Sequence, residues 1–94
     1  MEKEDRVKFS GTVLKKEGIF KIRQVVDCLK LDILVDKDGK QEVVTVYELG
    51  KHAHTSNKVL DINSPCVITG FPKTDNDMYL DIEPPCIIAR SLDF

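Results

Sequence analysis

Residues 28–47 read CLKLDILVDKDGKQEVVTVY, and this stretch decides the fold. In its first half, large apolar residues occupy every second position: Leu29, Leu31, Ile33 and Val35. This period of two is typical of a β-strand that buries one face. Asp38 and Gly39 supply the two residues of a type I′ turn, in which both central positions need a positive φ. The stretch therefore predicts a β-hairpin with one apolar face.

The two-residue turn also predicts the register of this hairpin. The opposed pairs on the apolar face are Leu31 with Val46 and Ile33 with Val44. The pairs on the other face are Lys30 with Tyr47, Asp32 with Thr45 and Leu34 with Val43. Both strands are apolar on the same face, as a half-buried hairpin requires. Tyr47 is therefore predicted to point outward, beside Lys30.

The residues before the hairpin predict a further strand. Residues 7–13 alternate apolar and polar side chains, and Gly11 within them indicates a bulge or a sharp bend. Residues 15–18, Lys-Lys-Glu-Gly, predict a turn that ends this strand.

The residues after the hairpin predict a helix and more strands. Residues 48–63 lose the β alternation, which favours a short helix that Ser64-Pro65 would stop. Residues 66–71 and 78–82 predict a second hairpin; Pro84-Pro85 interrupts its last strand, and residues 86–94 close the chain. The order β-β-β-α-β-β is that of an OB-fold, a five-stranded Greek-key barrel. Small SH3-like barrels have a similar number of strands, but the helix favours the OB-fold. We therefore predict one all-β OB-fold domain with one short helix over residues 1–94, with residues 1–5 as a disordered N-terminus.

Composition narrows the class of protein. The chain has 94 residues, 41% of them hydrophobic, with 14 Lys and Arg against 16 Asp and Glu. This length allows one compact core and excludes a large α/β enzyme. Residues 7–30 hold six basic residues against two acidic ones, so the slightly acidic total conceals a basic region. No apolar run could span a bilayer, which predicts a cytoplasmic protein. Three cysteines in apolar stretches are predicted to be buried thiols: Cys28, Cys66 and Cys86.

Four segments resemble the bacterial single-stranded DNA-binding protein family, most closely its primosomal replication protein N branch. They are DRVKFSGTV at residues 5–13, LGKHA at 49–53, VITGF at 67–71 and the final strand at 87–94. The resemblance implies an OB-fold that binds single-stranded DNA in replication, replication restart or repair. It also implies a homodimer, because family members pair through their first strands, and replication or repair proteins as partners. The location would be the nucleoid in a bacterium or the nucleus in a eukaryote.

Two departures from the family pattern are visible. The chain stops at Leu92-Asp93-Phe94, so the acidic tail through which full-length members recruit partners is not expected. The sequence has no Trp, and Val43 stands where one of the family's stacking tryptophans is found. The first departure fits the shorter primosomal branch, and the second predicts weaker binding or a function that has drifted from that of the family.

Binding of a single strand without sequence preference needs cations for phosphates and exposed aromatic rings for bases. The candidate stacking residues are Tyr47, Phe71, Tyr79 and Phe20. The candidate phosphate contacts are Lys8, Lys15, Lys16, Lys21, Arg23 and Lys30. Ordinary packing or a dimer interface is the competing explanation for each ring.

The sequence offers little for catalysis. It contains no phosphate-binding glycine loop, no nucleophile elbow and no Cys-x-x-Cys pair. His52 and His54 fall on different faces of the predicted helix, so we expect no metal. We predict a protein without enzymatic activity or a cofactor. The alternatives to DNA binding are an OB-fold adaptor that docks a protein through the same outward residues, and an RNA-binding OB module.

Overall fold

The computed structural model describes residues 6–22, 25–73 and 86–93. Over these residues the elements are β1 (Val7–Ile22), β2 (Val26–Lys37), β3 (Lys40–Leu49), α1 (Lys51–Val59), β4 (Pro65–Lys73) and β5 (Cys86–Asp93). Several predictions lie outside the described residues: the disordered N-terminus at 1–5, the strand at 78–82, and the candidate site residues Arg23 and Tyr79.

The β2–β3 hairpin has the predicted register. Asp38 at φ 53° and Gly39 at φ 80° form its turn. The observed pairs include Leu31 with Val46, Ile33 with Val44, Lys30 with Tyr47, Asp32 with Thr45 and Leu34 with Val43. The apolar face of β2 is buried, as its alternation predicted. The local turn chemistry was therefore sufficient to align the two strands.

Strand β1 shows that the predicted turn at residues 15–18 is wrong. Lys15 and Lys16 remain in the strand because they pair with β2, where Lys16 lies opposite Leu31. Register shifts before Lys15 and after Lys16 absorb the extra residues as bulges. Gly18 supplies a φ of 80° in the second bulge, so the glycine serves a bulge and not a chain reversal.

The sharp bend predicted at Gly11 coincides with a change of partner in β1. Residues Val7–Thr12 pair with β4, whereas Thr12–Ile22 pair with β2. A Cβ on Gly11 would lie 2.5 Å from Cγ2 of Ile33 and 2.7 Å from the carbonyl oxygen of Leu34. Only glycine permits this close approach of the two strands.

Strand β5 closes the barrel. It runs parallel to β3 and antiparallel to β4, so that Ile88 lies between Tyr47 and Phe71. The strand order is β1-β2-β3-β5-β4, and β4 returns to β1. With α1 between β3 and β4, the chain is a five-stranded OB-fold in the predicted order.

Helix α1 lies within the predicted range and packs against the barrel, but it ends at Val59 with Leu60 as its C-cap, so Ser64-Pro65 is not what stops it. Ala53 and Leu60 anchor it to the main core. Lys16 holds its C-terminal end, because the Nζ group donates to the carbonyl oxygens of Asn57 and Leu60, each at 2.9 Å. A cation at this end of a helix satisfies unpaired carbonyls and complements the helix dipole. No helix among the described residues is long and apolar enough to cross a membrane.

The barrel has apolar clusters on both sides of its wall. The main cluster fills the interior and includes Leu31, Val46 and Ile68. A second cluster lies on the outer face of the sheet and consists of Ile22, Cys28, Tyr47 and Cys86. The three cysteines are buried and free, which confirms their prediction as buried thiols. Burial raises the pKa of Cys28 to about 12, so this thiol is a packing group and a poor nucleophile at neutral pH.

Glu48 is a buried carboxylate beneath α1. The side chain is 3% exposed, and Ser56 of the helix donates a hydrogen bond to it. Its Oε1 atom is buried without a hydrogen-bond partner among the described residues. Burial raises the pKa of Glu48, opposed by the Ser56 hydrogen bond and by His52. The folded state therefore holds the proton more tightly than the unfolded chain does.

We expect Glu48→Gln to stabilise the protein at neutral pH. Because the folded pKa lies above the ordinary value of 4.5, the stability of the parent is greatest below that value and falls as the pH rises towards the folded pKa. The amide cannot ionise, so the variant escapes this loss. Thermal unfolding should give the variant the higher Tm at pH 7.5, with the difference vanishing by about pH 4. Glu42→Gln, an exposed control, should show no such pH dependence; a Glu48→Gln variant that melts below its parent at pH 7.5 would contradict the assignment.

Candidate nucleic-acid interface

An aromatic band lies on the outer face of the barrel. In register across β2, β3, β5 and β4 are Lys30, Tyr47, Ile88 and Phe71. Phe20 of β1 joins this row by an edge-on contact with Tyr47, at 6.4 Å between ring centroids and 78° between ring planes. We use the term aromatic band for Phe20, Tyr47, Ile88 and Phe71. Four strand spacings separate its two ends, Phe20 on β1 and Phe71 on β4, which is about 19 Å around the barrel wall.

Tyr47 does not offer an open ring face. The prediction that it is exposed is wrong, because only 3% of the residue is accessible. The register was correct and Tyr47 does lie on the outer side of the sheet, but Ile22, Cys28 and Cys86 pack with it in the second cluster. Tyr47 therefore supports the band from below, and the more exposed members of the band, Phe20 and Ile88, lie beside it.

Phe20 and Phe71 are the accessible rings of the band. Phe20 is 36% exposed, beside Tyr47. Phe71 is half-buried, and the guanidinium carbon of Arg6 lies 5.5 Å from its ring centroid. This distance is within the range of a cation–π contact. Because the guanidinium lies over the ring, the pair offers a planar stacking surface for a base and a cation for a phosphate.

Arg6 was missed in the sequence because nothing in its local pattern marks it. Its position follows from the pairing of β1 with β4, which places Val7 opposite Gly70 and so brings Arg6 to Phe71. Lys8 lies on the same two strands, opposite Thr69, and is exposed. The sequence signal that could have found Arg6 is the OB-fold topology itself, in which the first and fourth strands pair.

Glu17 forms ion pairs with two of the lysines at the other end of the aromatic band, Lys15 and Lys30. Its Oε1 lies 3.4 Å from Nζ of Lys15, and its Oε2 lies 3.2 Å from Nζ of Lys30. Lys30 is also 6.0 Å from the ring centroid of Tyr47. The hydrogen bond from Lys30 lowers the pKa of Glu17, and the same bond raises the pKa of Lys30. Both groups are charged at neutral pH, and the two lysines are partly neutralised before any ligand arrives.

Asp27 forms an ion pair with Lys21, as Glu17 does with Lys15 and Lys30. Lys21 Nζ lies 2.9 Å from Asp27 Oδ1, and His54 Nε2 of α1 lies 2.6 Å from Asp27 Oδ2. Hydrogen bonds from His54 and Lys21 lower the pKa of this carboxyl group. Asp27 thus links β1 and β2 to the helix while it competes for the lysine.

Lys16, another candidate phosphate contact, is held by hydrogen bonds to the end of α1. Its ammonium group caps the C-terminal end of α1 and lies 3.8 Å from Asp61. Release of this group for a phosphate would leave two helix carbonyls without their donor. The structure therefore brings Lys15, Lys21 and Lys30 to one end of the band and Lys8 to the other, and it commits Lys16 elsewhere.

Comparison with known proteins relates this fold to others. No protein-family model and no curated protein sequence matches the chain. Among solved structures, an SSB domain from Synechococcus sp. aligns with a TM-score of 0.79 at 9% identity, over 100% of this chain and 99% of its own. The second single-stranded DNA-binding protein of Mycobacterium smegmatis aligns with a TM-score of 0.70 at 15% identity, over 95% and 86%. A small single-stranded DNA-binding protein from Streptomyces coelicolor aligns with a TM-score of 0.68 at 18% identity, over 98% and 93%. The chain therefore has the fold of these single-stranded DNA-binding proteins.

Proposed function

We propose that this protein binds single-stranded DNA along the aromatic band, without catalysis. The observation that carries the proposal is the in-register row from Lys30 to Phe71 together with Phe20 beside Tyr47, which places an accessible ring and a cation at each end of the aromatic band. The three structural neighbours, each named as an SSB domain or a single-stranded DNA-binding protein, support the same ligand.

In this proposal, bases stack on Phe20 and Phe71, while phosphates contact the cations beside them. Each stacked base contributes about 1–3 kcal/mol. The cations at the Phe71 end are Arg6 and Lys8, for which no carboxylate within ion-pair distance is found among the described residues. At the Phe20 end, a phosphate must displace Glu17 from Lys30 or Asp27 from Lys21. Binding is therefore weaker than the number of basic residues suggests. Tyr79 and Arg23 complete the proposed set from the sequence alone.

The wider role that we propose is sequestration or hand-off of single-stranded DNA in replication, replication restart or repair, by a cytoplasmic protein. The homodimer and the place in the primosomal replication protein N branch are proposals that rest on the sequence resemblance. RNA is the alternative ligand, because the aromatic band contains no feature that reads the sugar.

Fluorescence anisotropy with labelled oligo-dT and oligo-rU tests the proposal. We expect dT binding that weakens as salt increases, because phosphate contacts release counterions. Tighter binding of oligo-rU than of oligo-dT would indicate that the ligand is RNA and not DNA. Absence of binding to either strand at low salt, up to about 100 µM protein, would remove the proposed function.

We expect Glu17→Gln to strengthen oligo-dT binding. The variant frees Lys15 and Lys30 from the carboxylate that now holds both of them. Each freed lysine that reaches a phosphate should make the slope of log K against log salt steeper by about 0.7. Anisotropy titrations at several salt concentrations measure this slope.

The matched control for this prediction is Glu42→Gln. It makes the same change in net charge on an exposed residue that has no ion pair within the described parts of the chain. A steeper slope in Glu17→Gln alone assigns the effect to the two lysines. An equal gain in both variants would show that only the net charge matters.

A further inference from the structure

Helix α1 presents a basic face to the outside of the molecule. Side chains at the spacing i, i+3, i+4 and i+7 share one face of a helix. The face that packs on the barrel carries Ala53, Ser56, Asn57 and Leu60. The opposite face, which we call the outer helix face, consists of the exposed residues Lys51, His54, Thr55 and Lys58. The helix contains no Asp or Glu, so nothing within it offsets the two lysines.

The two lysines of the outer helix face carry unpaired charges. Neither Lys51 nor Lys58 has a carboxylate within ion-pair distance in the described ranges 6–22, 25–73 and 86–93. Asp27 and Asp61 lie beside the two ends of the helix, and each is already within ion-pair distance of another cation. These lysines therefore differ from Lys30, because a phosphate can reach them without displacing a carboxylate.

The side of the helix that borders β5 has nearly balanced charges. Thr55 lines a cavity of about 280 Å³ together with Arg90 and Asp93 of β5, which are both exposed. The carboxylate of Glu48 also lines this cavity, but the residue is 3% exposed. The basic character of the outer helix face is therefore set by its own lysines.

The outer helix face begins next to the Phe20 end of the aromatic band. Phe20 and Lys21 are consecutive in β1, so their side chains point to opposite faces of the β1–β2 ribbon. Phe20 contacts Tyr47 on the band, whereas Lys21 is joined to the helix through Asp27. The second oxygen of Asp27 lies 2.6 Å from Nε2 of His54. One residue along β1 thus separates the band from the helix.

The edge of β1 offers a route between these two surfaces. Strand β1 pairs with β4 only over Val7–Thr12, and from Val13 onward its one partner among the described residues is β2. The outer edge of β1 at Phe20 and Lys21 is therefore not covered by any strand that the structure describes. A nucleic-acid strand can pass around this edge.

We propose that a DNA strand bound on the aromatic band passes around the edge of β1 and continues along the outer helix face, where its phosphates contact Lys51 and Lys58. This inference rests on the proposed function. The two lysines are about 10 Å apart along the helix axis, the length of about three nucleotides at a rise of about 3.4 Å. The helix carries no Phe, Tyr or Trp, so we expect contacts with the DNA backbone there.

Oligo-dT of two lengths tests this path. The aromatic band spans about 19 Å, which about six stacked nucleotides fill, whereas about fifteen reach the helix as well. Anisotropy at several salt concentrations should give the longer strand a slope of log K against log salt that is steeper by about 1.4, or about 0.7 for each added phosphate contact. In heteronuclear NMR spectra, the amide signals of residues 51–58 should shift with the longer strand and not with the shorter one.

The double variant Lys51→Gln/Lys58→Gln removes both charges and should lose about 1.4 from the slope on the longer strand. Its affinity for the shorter strand should stay within about twofold of the parent, because the band is intact. The matched control is Lys37→Gln/Lys40→Gln, which makes the same change in net charge on two exposed lysines beside the β2–β3 turn. Lys37 lies about 23 Å from Lys30 along β2, so the control should keep the slope of the parent on both strands.

The possible failures are distinguishable. An unchanged slope for the helix variant on the longer strand, or an equal loss in the variant and its control, would overturn the path along the helix and leave the band as the binding site. A labelled oligo-glutamate peptide that binds the parent but not the helix variant, while both bind DNA equally, would make the outer helix face a site for an acidic protein. A parent that binds neither DNA strand would remove the proposed function, and this inference with it.

Discussion

Phe71→Ala and Phe20→Ala are each expected to weaken oligo-dT binding by about 5- to 150-fold, the equivalent of one lost stack. The two rings are the accessible ends of the aromatic band, and Tyr47 between them is covered. Loss of Phe71 also leaves Arg6 without the ring that now holds its guanidinium group. Anisotropy at constant low salt measures the change, and circular dichroism confirms that each variant is folded.

Two kinds of control variant show whether an affinity loss comes from stacking. One keeps an aromatic ring at the same position, and the other truncates an exposed apolar side chain outside the band. Phe20→Tyr and Phe71→Tyr keep a ring and should remain within about threefold of the parent. Ile62→Ala truncates a side chain that is 51% exposed and lies outside the band, and should bind as the parent does. Alanine variants with unchanged affinity would show that DNA does not touch the band. Tyrosine variants as weak as the alanine variants would show that the rings act through packing and not through stacking.

Gly70→Ala is expected to destabilise the fold more than any other glycine substitution proposed for this chain. A Cβ at this position would collide with the carbonyl oxygen of Ile88 and would lie 2.9 Å from Cα of Ala89. Both obstacles are backbone atoms of β5, so no side chain can move aside, and β4 must separate from β5 at the bulge beside Gly70. Overpacking of this kind costs about 1–3 kcal/mol. Thermal unfolding should show a Tm lower by about 5–20 °C.

Gly39→Asn provides the matched control. Nothing lies within 4 Å of a Cβ at Gly39, and its φ of 80° is one that asparagine adopts with little strain. We expect its Tm to stay within a few degrees of the parent. A Gly70→Ala variant that melts together with Gly39→Asn would show that β4 and β5 are not packed as closely as described.

The candidate site was predictable in its chemistry and less so in its geometry. The sequence indicated that aromatic rings and lysines would share the outer face of β2 and β3, and the pairing of Lys30 with Tyr47 confirms that part. It did not indicate that Glu17 would hold Lys15 and Lys30 together. That contact depends on the bulges in β1, which carry Glu17 back over β2 and which a pattern of alternating residues does not reveal.

What the sequence alone determined is the local structure whose cause lies within a few residues. Two residues at the turn, Asp38 and Gly39, align the whole β2–β3 hairpin, because a two-residue loop permits one register and the apolar alternation selects the same one. The helix after β3 and the order of the elements follow from similar local signals, and so does the OB-fold.

Only the tertiary structure decided which outward residues are open to a ligand. Tyr47 points outward as predicted, yet it is buried because Ile22 from β1 and Cys86 from β5 pack over it, and both are distant in sequence. Lys16 has the charge that a phosphate contact needs, yet its ammonium group donates to the carbonyl oxygens of Asn57 and Leu60 at the end of α1, more than forty residues further along the chain. Alternation fixes the side of the sheet on which a residue lies, but its exposure depends on what other strands bring to that side.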